Sequence, residues 1–282
     1  MTSPTLLPPI AEHYAVESAR IRTQFEAAGD GPLTLRARSD LVDAIVVRLY
    51  RELFSSPLDG PKNFCMVALG GYGRRELFPH SDIDLLFLSS NGKKEAAHRE
   101  AVATMSRMLW DARMRVSHSA RPLGECGQLH RDNLEFNVAL LDSRYLAGDR
   151  WLFDRLRTDA VPHFATRDRD DLVRNLADLI EQRHAKHGDT VFHLEPNIKE
   201  APGGLRDYHV ARWLTLIAEI ETQGHMIIPE QSWPAALRAA GEQAWQFLAA
   251  LRCFLHYRYE RDDNLLSYEY QEEAARLGIG HQ

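Results

Sequence analysis

The chain has 282 residues, of which 44% are apolar and 26% charged, with 17 glycines and 13 prolines. This composition is typical of a globular protein and excludes the disordered and fibrous classes. With 34 basic residues against 40 acidic ones, the net charge is −6. The chain lacks the cationic excess that binds a polyanion by counterion release, so we expect no nucleic-acid partner.

The cysteines and the amino terminus predict where the protein works. Cys65, Cys126 and Cys253 are too far apart for a metal or redox pair, which favours reduced thiols. Residues 1–13 lack the basic and apolar regions of a signal peptide. No apolar run approaches the ~18 residues that span a bilayer. We therefore expect a cytoplasmic protein with no membrane partner.

Helical spacing of apolar residues dominates both ends of the chain. Residues 11–28 and 34–56 predict two helices, the second with a leucine and isoleucine stripe at four-residue steps. From about residue 124 onward, three- and four-residue steps predict a helical bundle, which includes a helical segment over 134–146. Two prolines and a glycine pair interrupt the bundle at 193–207.

Strand-like segments are confined to the middle of the chain. An apolar run, 64–69, is followed by the turn-rich string GGYGRRELFPHS and then by the strand-like DIDLLFL at 82–88. Residues 95–113 predict a helix, and 114–120 predict a third strand. This pattern predicts an α+β protein, with a small mixed sheet followed by an α-helical bundle.

Two acidic residues flank Ile83 at the start of the second strand. Because side chains alternate along a strand, Asp82 and Asp84 lie on one face while Ile83 points to the other. Adjacent carboxylates repel each other, so this pair suits Mg²⁺ held by two carboxylates and substrate phosphates. A solvent-facing edge strand is the alternative interpretation.

A glycine pair precedes the carboxylates at the end of the first strand. Without a Cβ, Gly70 and Gly71 let the backbone approach a ligand and offer amide hydrogens to a phosphate. The spacing of a strand, the glycine pair, ten residues ending in Ser81, and then Asp-Ile-Asp in an apolar strand is the most specific motif in the chain.

This array resembles the signature of the DNA polymerase β-like nucleotidyltransferase superfamily. The longer strings GGYGRRELFPHSDIDLL, WDARMRVSHSARPLGEC and LEPNIKEAPGGLRDYHVARW resemble the bacterial PII uridylyltransferase/uridylyl-removing enzyme family. The resemblance runs from about residue 35 to the end of the chain. It implies a fold in three parts: an N-terminal helical segment (1–58), a nucleotidyltransferase core (59–132), and a helical domain that closes over the nucleotide cleft (133–282).

The resemblance also implies a reaction and its site residues. In this family, UMP is transferred from UTP to a tyrosine of the PII signal protein. Asp82 and Asp84 would hold Mg²⁺, while Gly70, Gly71 and Ser81 would bind the triphosphate, with Arg74 nearby as a cation.

Two departures from the family pattern bear on the site. Arg75 stands where the family usually has glycine, and a bulky cation there could help or obstruct. The superfamily also expects a third carboxylate on a later strand, but the strand around Val116 carries Ser117 and His118. His118 is a candidate general base, because the reference pKa of histidine is near 6.5, and a packed or surface histidine is the alternative.

The interruption at 193–207 offers a second half of the site. Its glycine pair leads into a helix start with Lys199 and Arg206 on either side, which favours anion binding. Glu195 and Asp207 are candidates to cap the active site, with Asp207 as a possible missing acid. The alternative is that Asp207 caps the helix.

Three readings of the function follow from the resemblance. The first is UMP transfer to PII, without the metal-dependent HD hydrolase activity of the full-length family enzyme, since no His-Asp dipeptide occurs among the 13 histidines. The second is a catalytically silent module that binds a nucleotide or a PII-like partner. The third is an adenylyltransferase on the same scaffold.

Overall fold

A computed structural model describes residues 9–54 and 62–280. Its sheet has four strands in the order β3-β2-β1-β4. β1 is antiparallel to both β2 and β4, and β2 is parallel to β3. The strands are β1 (Phe64–Ala68), β2 (Ile83–Ser89), β3 (Val116–Pro122) and β4 (Arg144–Gly148). The small mixed sheet and the many helices confirm the predicted α+β class.

Helices make up most of the rest of the described chain. Those before the end of the sheet are α1 (Ile10–Ala28), α2 (Gly31–Phe54), α3 (Gly70–Gly73), α4 (Gly92–Asp111), α5 (Leu123–Cys126) and α6 (Leu134–Leu141). Those after it are α7 (Arg150–Arg155), α8 (Val161–Arg167), α9 (Arg169–Lys186), α10 (Leu205–Gln223), α11 (Ala235–Tyr259) and α12 (Tyr268–Arg276). None of the described helices is long and apolar enough to cross a membrane.

Alternation along the strands gives the sheet two buried faces. Ile83, Leu85 and Phe87 pack in one cluster with α2 and α4. The alternate residues, Leu86 and Leu88, pack in a second cluster with α6, α8 and α10. Asp84 shares the period-two face of Leu86, so its side chain belongs to the side of the sheet that the later helices cover.

A third apolar cluster joins the two ends of the chain. Phe25 of α1 and Leu35 of α2 pack with a run of residues in α11, together with Phe78 and Ile279. Since Phe78 lies four residues before Asp82, this cluster connects the N-terminal helices and α11 to the segment that leads into the paired acids.

The structure corrects the helix predicted over 134–146. α6 ends at Leu141, and residues 144–148 form β4 at the edge of the sheet beside β1. The apolar run was long enough for either element, and periodicity alone does not separate a short buried strand from a helix. The division predicted at residue 132 stays a prediction, and the sheet includes a strand beyond it.

The other predicted elements lie close to their expected positions. Helices were predicted over 11–28, 34–56 and 95–113, where α1, α2 and α4 occur. Residues 55 and 56 of the second prediction, and residues 1–8 of the N-terminal segment, lie outside the described residues. The predicted break at 193–207 is present, because no helix lies between α9 and α10.

Gly73 provides a test of how closely α3 packs on the turn after α6. A Cβ on Gly73 would lie 2.0 Å from the carbonyl oxygen of Asp142 and 3.0 Å from that of Ala68. We expect Gly73→Ala to lower the free energy of unfolding by about 2 kcal/mol or more, because two backbone segments must separate. Urea unfolding measures the change.

Gly92→Ala is the matched control, because a Cβ on Gly92 meets nothing within 4 Å. It should leave the free energy of unfolding within about 1 kcal/mol of the wild-type value. Equal effects of the two substitutions would contradict the close approach.

Candidate active site

A cleft of about 620 Å³ opens between the end of the sheet and the later helices. The strand-end half contributes the turn after β1 and the start of β2. The other half contributes α6, α9, the loop before α10, and α10 itself. The eight residues predicted as metal or nucleotide ligands all line this cleft: Gly70, Gly71, Arg74, Ser81, Asp82, Asp84, Lys199 and Arg206.

Backbone geometry brings the glycine turn against the paired acids. The amide of Leu69 donates to the carbonyl of Asp84 at 3.0 Å, where β1 and β2 run side by side. Gly70 then turns the chain with a φ of +52°, and a Cβ there would lie 3.5 Å from Asp84 Oδ2. The left-handed backbone conformation favours glycine at this position. The turn therefore lies directly beside the Asp84 carboxylate.

The two carboxylates have different surroundings. Asp82 is about half exposed and lies 3.0 Å from the guanidinium of Arg115. Among residues 9–54 and 62–280, no ion pair within 4 Å reaches Asp84. Burial, and then the neighbouring charge of Asp82, raise the pKa of Asp84 to about 6, and Arg74 opposes the shift. A cation bound beside Asp84 would therefore stabilise its ionised form.

These donors fit Mg²⁺ better than a softer metal. Within the described residues, no group of three or more His, Cys, Asp and Glu side chains could hold a metal by itself. Mg²⁺ commonly binds through one or two carboxylates and substrate phosphates, with water completing its shell. Asp82 and Asp84 supply that number of carboxylates, and a bound cation would relieve the electrostatic cost at Asp84.

The third-carboxylate position on β3 is occupied by a serine. In the parallel β2–β3 pair, Asp84 is opposite Ser117 and Leu85 is opposite His118. His118 therefore belongs to the other face of the sheet, where its Nδ1 lies 3.2 Å from the hydroxyl of Ser106 on α4. His118 is exposed and is not part of the cleft lining, which supports a surface histidine and not a general base.

Arg74 lines the cleft, and two acidic side chains balance its charge. Its guanidinium lies 2.9 Å from Glu76 and also pairs with Asp142, and all three side chains are buried. Asp142 accepts a hydrogen bond from the indole of Trp213 at 2.8 Å, and Glu76 lies 2.7 Å from His209. This network joins the turn after β1 to α10.

Arg75 lies outside the cleft. Its guanidinium pairs with Asp40 at 3.0 Å and Asp43 at 3.2 Å on α2. Its φ is +64°, a conformation that favours glycine and explains why a glycine suits this position. The arginine therefore neither adds a cation to the cleft nor blocks it.

The second half of the site comes from the loop before α10. Asn197 Oδ1 accepts from the amides of Lys199 and Glu200 at 3.1 and 2.9 Å. A Cβ on Gly204 would lie 2.9 Å from each of three backbone carbonyls, so only glycine fits the close turn. The loop fixes Lys199 on one side and Arg206 on the other.

Lys199 of this loop and Arg206 of α10 share one carboxylate. Lys199 Nζ is 3.5 Å from Glu200 and 3.8 Å from Asp262, while Arg206 is 3.4 Å from Glu200. Burial, followed by the charge of Arg252, lowers the pKa of Lys199. These long contacts hold the two cations at the cleft wall.

Asp207 and Glu195 do not line the cleft. The Asp207 carboxylate accepts from the amide of Gly203 at 2.7 Å and pairs with Arg183 and His184. The geometry supports a structural role for Asp207 in the first turn of α10, and not the role of a catalytic acid. Glu195 accepts from the amide of Tyr268 at 2.9 Å, so it connects the loop to α12.

Sequence reasoning missed three cations of the lining: Arg183 and Lys186 of α9 and Arg252 of α11. The first two follow a helical pattern in which charge usually marks a solvated face. Arg252 offered a clearer signal, because it lies within the apolar run ALRCFLHY and an arginine is rarely buried without partners.

Two family models match separate parts of this chain. Residues 172–282 match the family model described as GlnD PII-uridylyltransferase. Residues 21–114 match the DUF294 family, which is described as a candidate nucleotidyltransferase family. The resemblance to PII uridylyltransferases is therefore confirmed.

Similar full proteins are named bifunctional uridylyltransferase/uridylyl-removing enzyme. The protein of Rhodospirillum rubrum is 33% identical over 268 residues, which is 92% of this chain and 28% of the relative. Those of Azospirillum brasilense and Cereibacter sphaeroides are 33% and 34% identical, over 92% and 93% of this chain and 28% and 30% of the relatives. The chain thus spans less than a third of the length of these relatives.

The raised pKa of Asp84 makes the metal-free protein pH-sensitive. The pKa of Asp84 is higher in the folded protein than in the unfolded chain, so ionising Asp84 destabilises the fold. This loss of stability is absent below pH 3.8, the ordinary pKa, and complete above about pH 6. We expect Asp84→Asn to be more stable than wild type by about 1–3 kcal/mol at pH 8 in a chelator. Urea unfolding should show this difference shrinking as the pH falls through 6.

The exposed Asp111, at the end of α4, provides the control substitution, Asp111→Asn. It should show no comparable gain at pH 8. If the difference in free energy of unfolding between wild type and Asp84→Asn does not vary with pH, the raised pKa of Asp84 is contradicted.

Arg75→Gly tests whether Arg75 affects the cleft. The substitution relieves a strained backbone conformation, worth about 1 kcal/mol, and removes two ion pairs of a half-exposed arginine, which contribute about 1 kcal/mol or less each. We expect the free energy of unfolding to change little and any affinity of the cleft for a nucleoside triphosphate to stay within about twofold of wild type. A large change in affinity, measured by calorimetry, would contradict the position of Arg75.

Proposed function

We propose that this chain transfers UMP from UTP to a tyrosine of a PII signal protein and releases pyrophosphate. The proposal rests on one observation above the others: the paired carboxylates Asp82 and Asp84 line the same cleft as Lys199 and Arg206. The names of the relatives support uridylyl transfer, and the name of the matched family includes PII. The three cysteines are free and buried, which fits a reduced, cytoplasmic setting.

Different residues of the cleft would contact different parts of the triphosphate. The helical turn that begins at Gly70 leaves its first amides without helical acceptors, so Gly70 and Gly71 offer donors to a phosphate. Ser81 adds a hydroxyl. Lys199 and Arg206 complement the charge that develops on the departing pyrophosphate.

Asp82 and Asp84 would hold Mg²⁺. When bound, the ion would neutralise phosphate charge and make the α-phosphorus more electrophilic. The tyrosine oxygen then forms a bond to the α-phosphorus, the bond to the pyrophosphate oxygen breaks, and the phenolic proton is released. Such a transfer depends mainly on positioning and electrostatic stabilisation, with little covalent work for the protein.

The apolar part of the cleft suits the nucleoside. Leu176, Leu179 and Ile180 of α9 and Val138 of α6 line it, together with the polar side chain of Gln182. An apolar wall with a few polar groups is the usual form of a small-molecule site. Whether this wall prefers uracil over adenine distinguishes uridylyl from adenylyl transfer.

A catalytically silent module is the second candidate. Two observations favour it: Ser117 stands opposite Asp84 where a third acid is expected, and the charge of Arg74 is balanced by Glu76 and Asp142. Such a module would bind the nucleotide without transferring it. Under either candidate, we propose that this chain has no uridylyl-removing activity, because it contains no His-Asp dipeptide.

Asn substitutions at the paired acids test the proposed reaction. Incubation of the wild type with Mg²⁺, labelled UTP and purified PII should produce UMP on a PII tyrosine, detected by intact and peptide mass. We expect Asp82→Asn or Asp84→Asn to reduce this transfer by at least about 100-fold while the protein stays folded, because each removes one charged metal ligand.

Asp111→Asn is again the control and should transfer at the wild-type rate. Labelled ATP in place of UTP identifies adenylyl transfer. Full activity in either acid variant would contradict the metal assignment, and nucleotide binding by the wild type without transfer would favour the silent module.

A further inference from the structure

The segment that leads into the paired acids, residues 78–81, is held by side chains from separate parts of the fold. Arg38 of α2, itself buried, donates to the carbonyl of Pro79 at 2.8 Å. Arg115, just before β3, donates to the carbonyl of His80 at 3.2 Å. Within the segment, the amide of Ser81 donates to the carbonyl of Phe78 at 3.1 Å.

A buried histidine provides the remaining contact. The amide of His80 donates to Nδ1 of His256 at 3.2 Å. His256 lies on α11, more than 170 residues away in sequence, and its side chain is fully buried. Its Nε2 lies 3.0 Å from Asp262 Oδ1. The ring therefore bridges the segment before Asp82 and a carboxylate of the cleft wall.

This geometry requires one form of the ring. Nδ1 accepts a hydrogen bond only when it carries no proton, so the proton of the neutral ring must be on Nε2, toward Asp262. Burial, with a contribution from Arg252, lowers the pKa of His256 to about 4 against the opposing effect of Asp262. The acceptor is thus present at neutral pH.

The hydrogen bond between His80 and His256 lies close in sequence to the predicted metal ligand Asp82. Only Ser81 separates His80 from Asp82, so the position of the His80 amide limits where the Ser81 hydroxyl and the Asp82 carboxylate can lie. Arg252 of α11 also stacks on Phe78, with its guanidinium 4.0 Å from the ring centroid. Two side chains of one helix therefore hold the start of this segment.

We propose that His256 is a positioning residue of the nucleotide site: by accepting a hydrogen bond from His80, it fixes Ser81 and Asp82 against the wall that carries Lys199. The inference rests on the proposed function only in assuming that this cleft binds a nucleotide with Mg²⁺. His256 itself is not part of the cleft lining, so it acts through the backbone of the segment.

Two amide substitutions separate the two contacts of the ring. In His256→Asn, Oδ1 takes the place of Nδ1 and keeps an acceptor for the His80 amide. In His256→Gln, the longer side chain reaches the place of Nε2, which keeps the contact to Asp262 and removes the acceptor. Asp262 stays anchored in either variant, because Arg252 and Asn264 donate to it at 3.0 and 3.1 Å.

The expected result is a difference in nucleotide affinity between these variants. Calorimetry with UTP and Mg²⁺, without any acceptor protein, should give a Kd raised about tenfold in His256→Gln and within about threefold of wild type in His256→Asn. His98→Gln is the control, because His98 packs against Phe54 and Phe64, away from the cleft. It should leave the Kd unchanged.

Amide hydrogen exchange tests the same contact without a nucleotide. A peptide covering residues 78–82 should exchange faster in His256→Gln than in wild type or His256→Asn. Equal exchange in the two variants, or equal losses of affinity that follow their melting temperatures, would reduce His256 to a packing residue and overturn the proposal.

These measurements also separate the positioning role of His256 from the proposed transfer of UMP to PII. A wild type that binds UTP but transfers nothing to PII defeats the reaction and leaves the affinity test of His256 intact. If His256→Gln does not fold, nitrogen-15 spectra of the wild type decide: His256 should show a bare Nδ1 and a protonated Nε2. The opposite tautomer would overturn the proposal.

Discussion

The site depends on the burial of Asp84 beside a second carboxylate, which raises the pKa of Asp84 above its ordinary value. Asp82 remains half exposed beside Arg115, whereas no ion pair within 4 Å reaches Asp84 among the described residues. A neutral side chain in place of Asp84 would stabilise the metal-free fold, because ionising the buried Asp84 carboxylate costs free energy. Sites of function commonly keep such a cost because a bound cation removes it.

The surrounding structure holds this unfavourable pair in place. The glycine turn lies against Asp84, and the Arg74 network joins that turn to α10. On the other side, Arg38 and His256 fix the segment before Asp82. The start of β2 is thus held by the sheet, the N-terminal helices and the later helices together, and the acids line the same cleft as Lys199.

The sequence predicted the residues of the cleft better than their partners. The spacing of the glycines and acids follows from strand alternation and turn chemistry, which are local properties. The eight residues predicted as metal or nucleotide ligands line one cleft, whereas His118, Glu195 and Asp207 do not. Partnerships over long sequence separations were not predictable: Arg74 with Asp142, Arg75 with α2, and His256 with His80. The strand β4 was missed for a different reason, since a short apolar run fits either a helix or a buried strand.

The central claim is that the strand-end half and the loop before α10 form one nucleotide site. Hydrogen exchange of the wild type with and without UTP and Mg²⁺ tests it directly. We expect residues 70–84 and 197–206 to become protected together, with the same dependence on UTP concentration, and neither to be protected when Mg²⁺ is removed. Protection of one segment without the other would contradict a shared site.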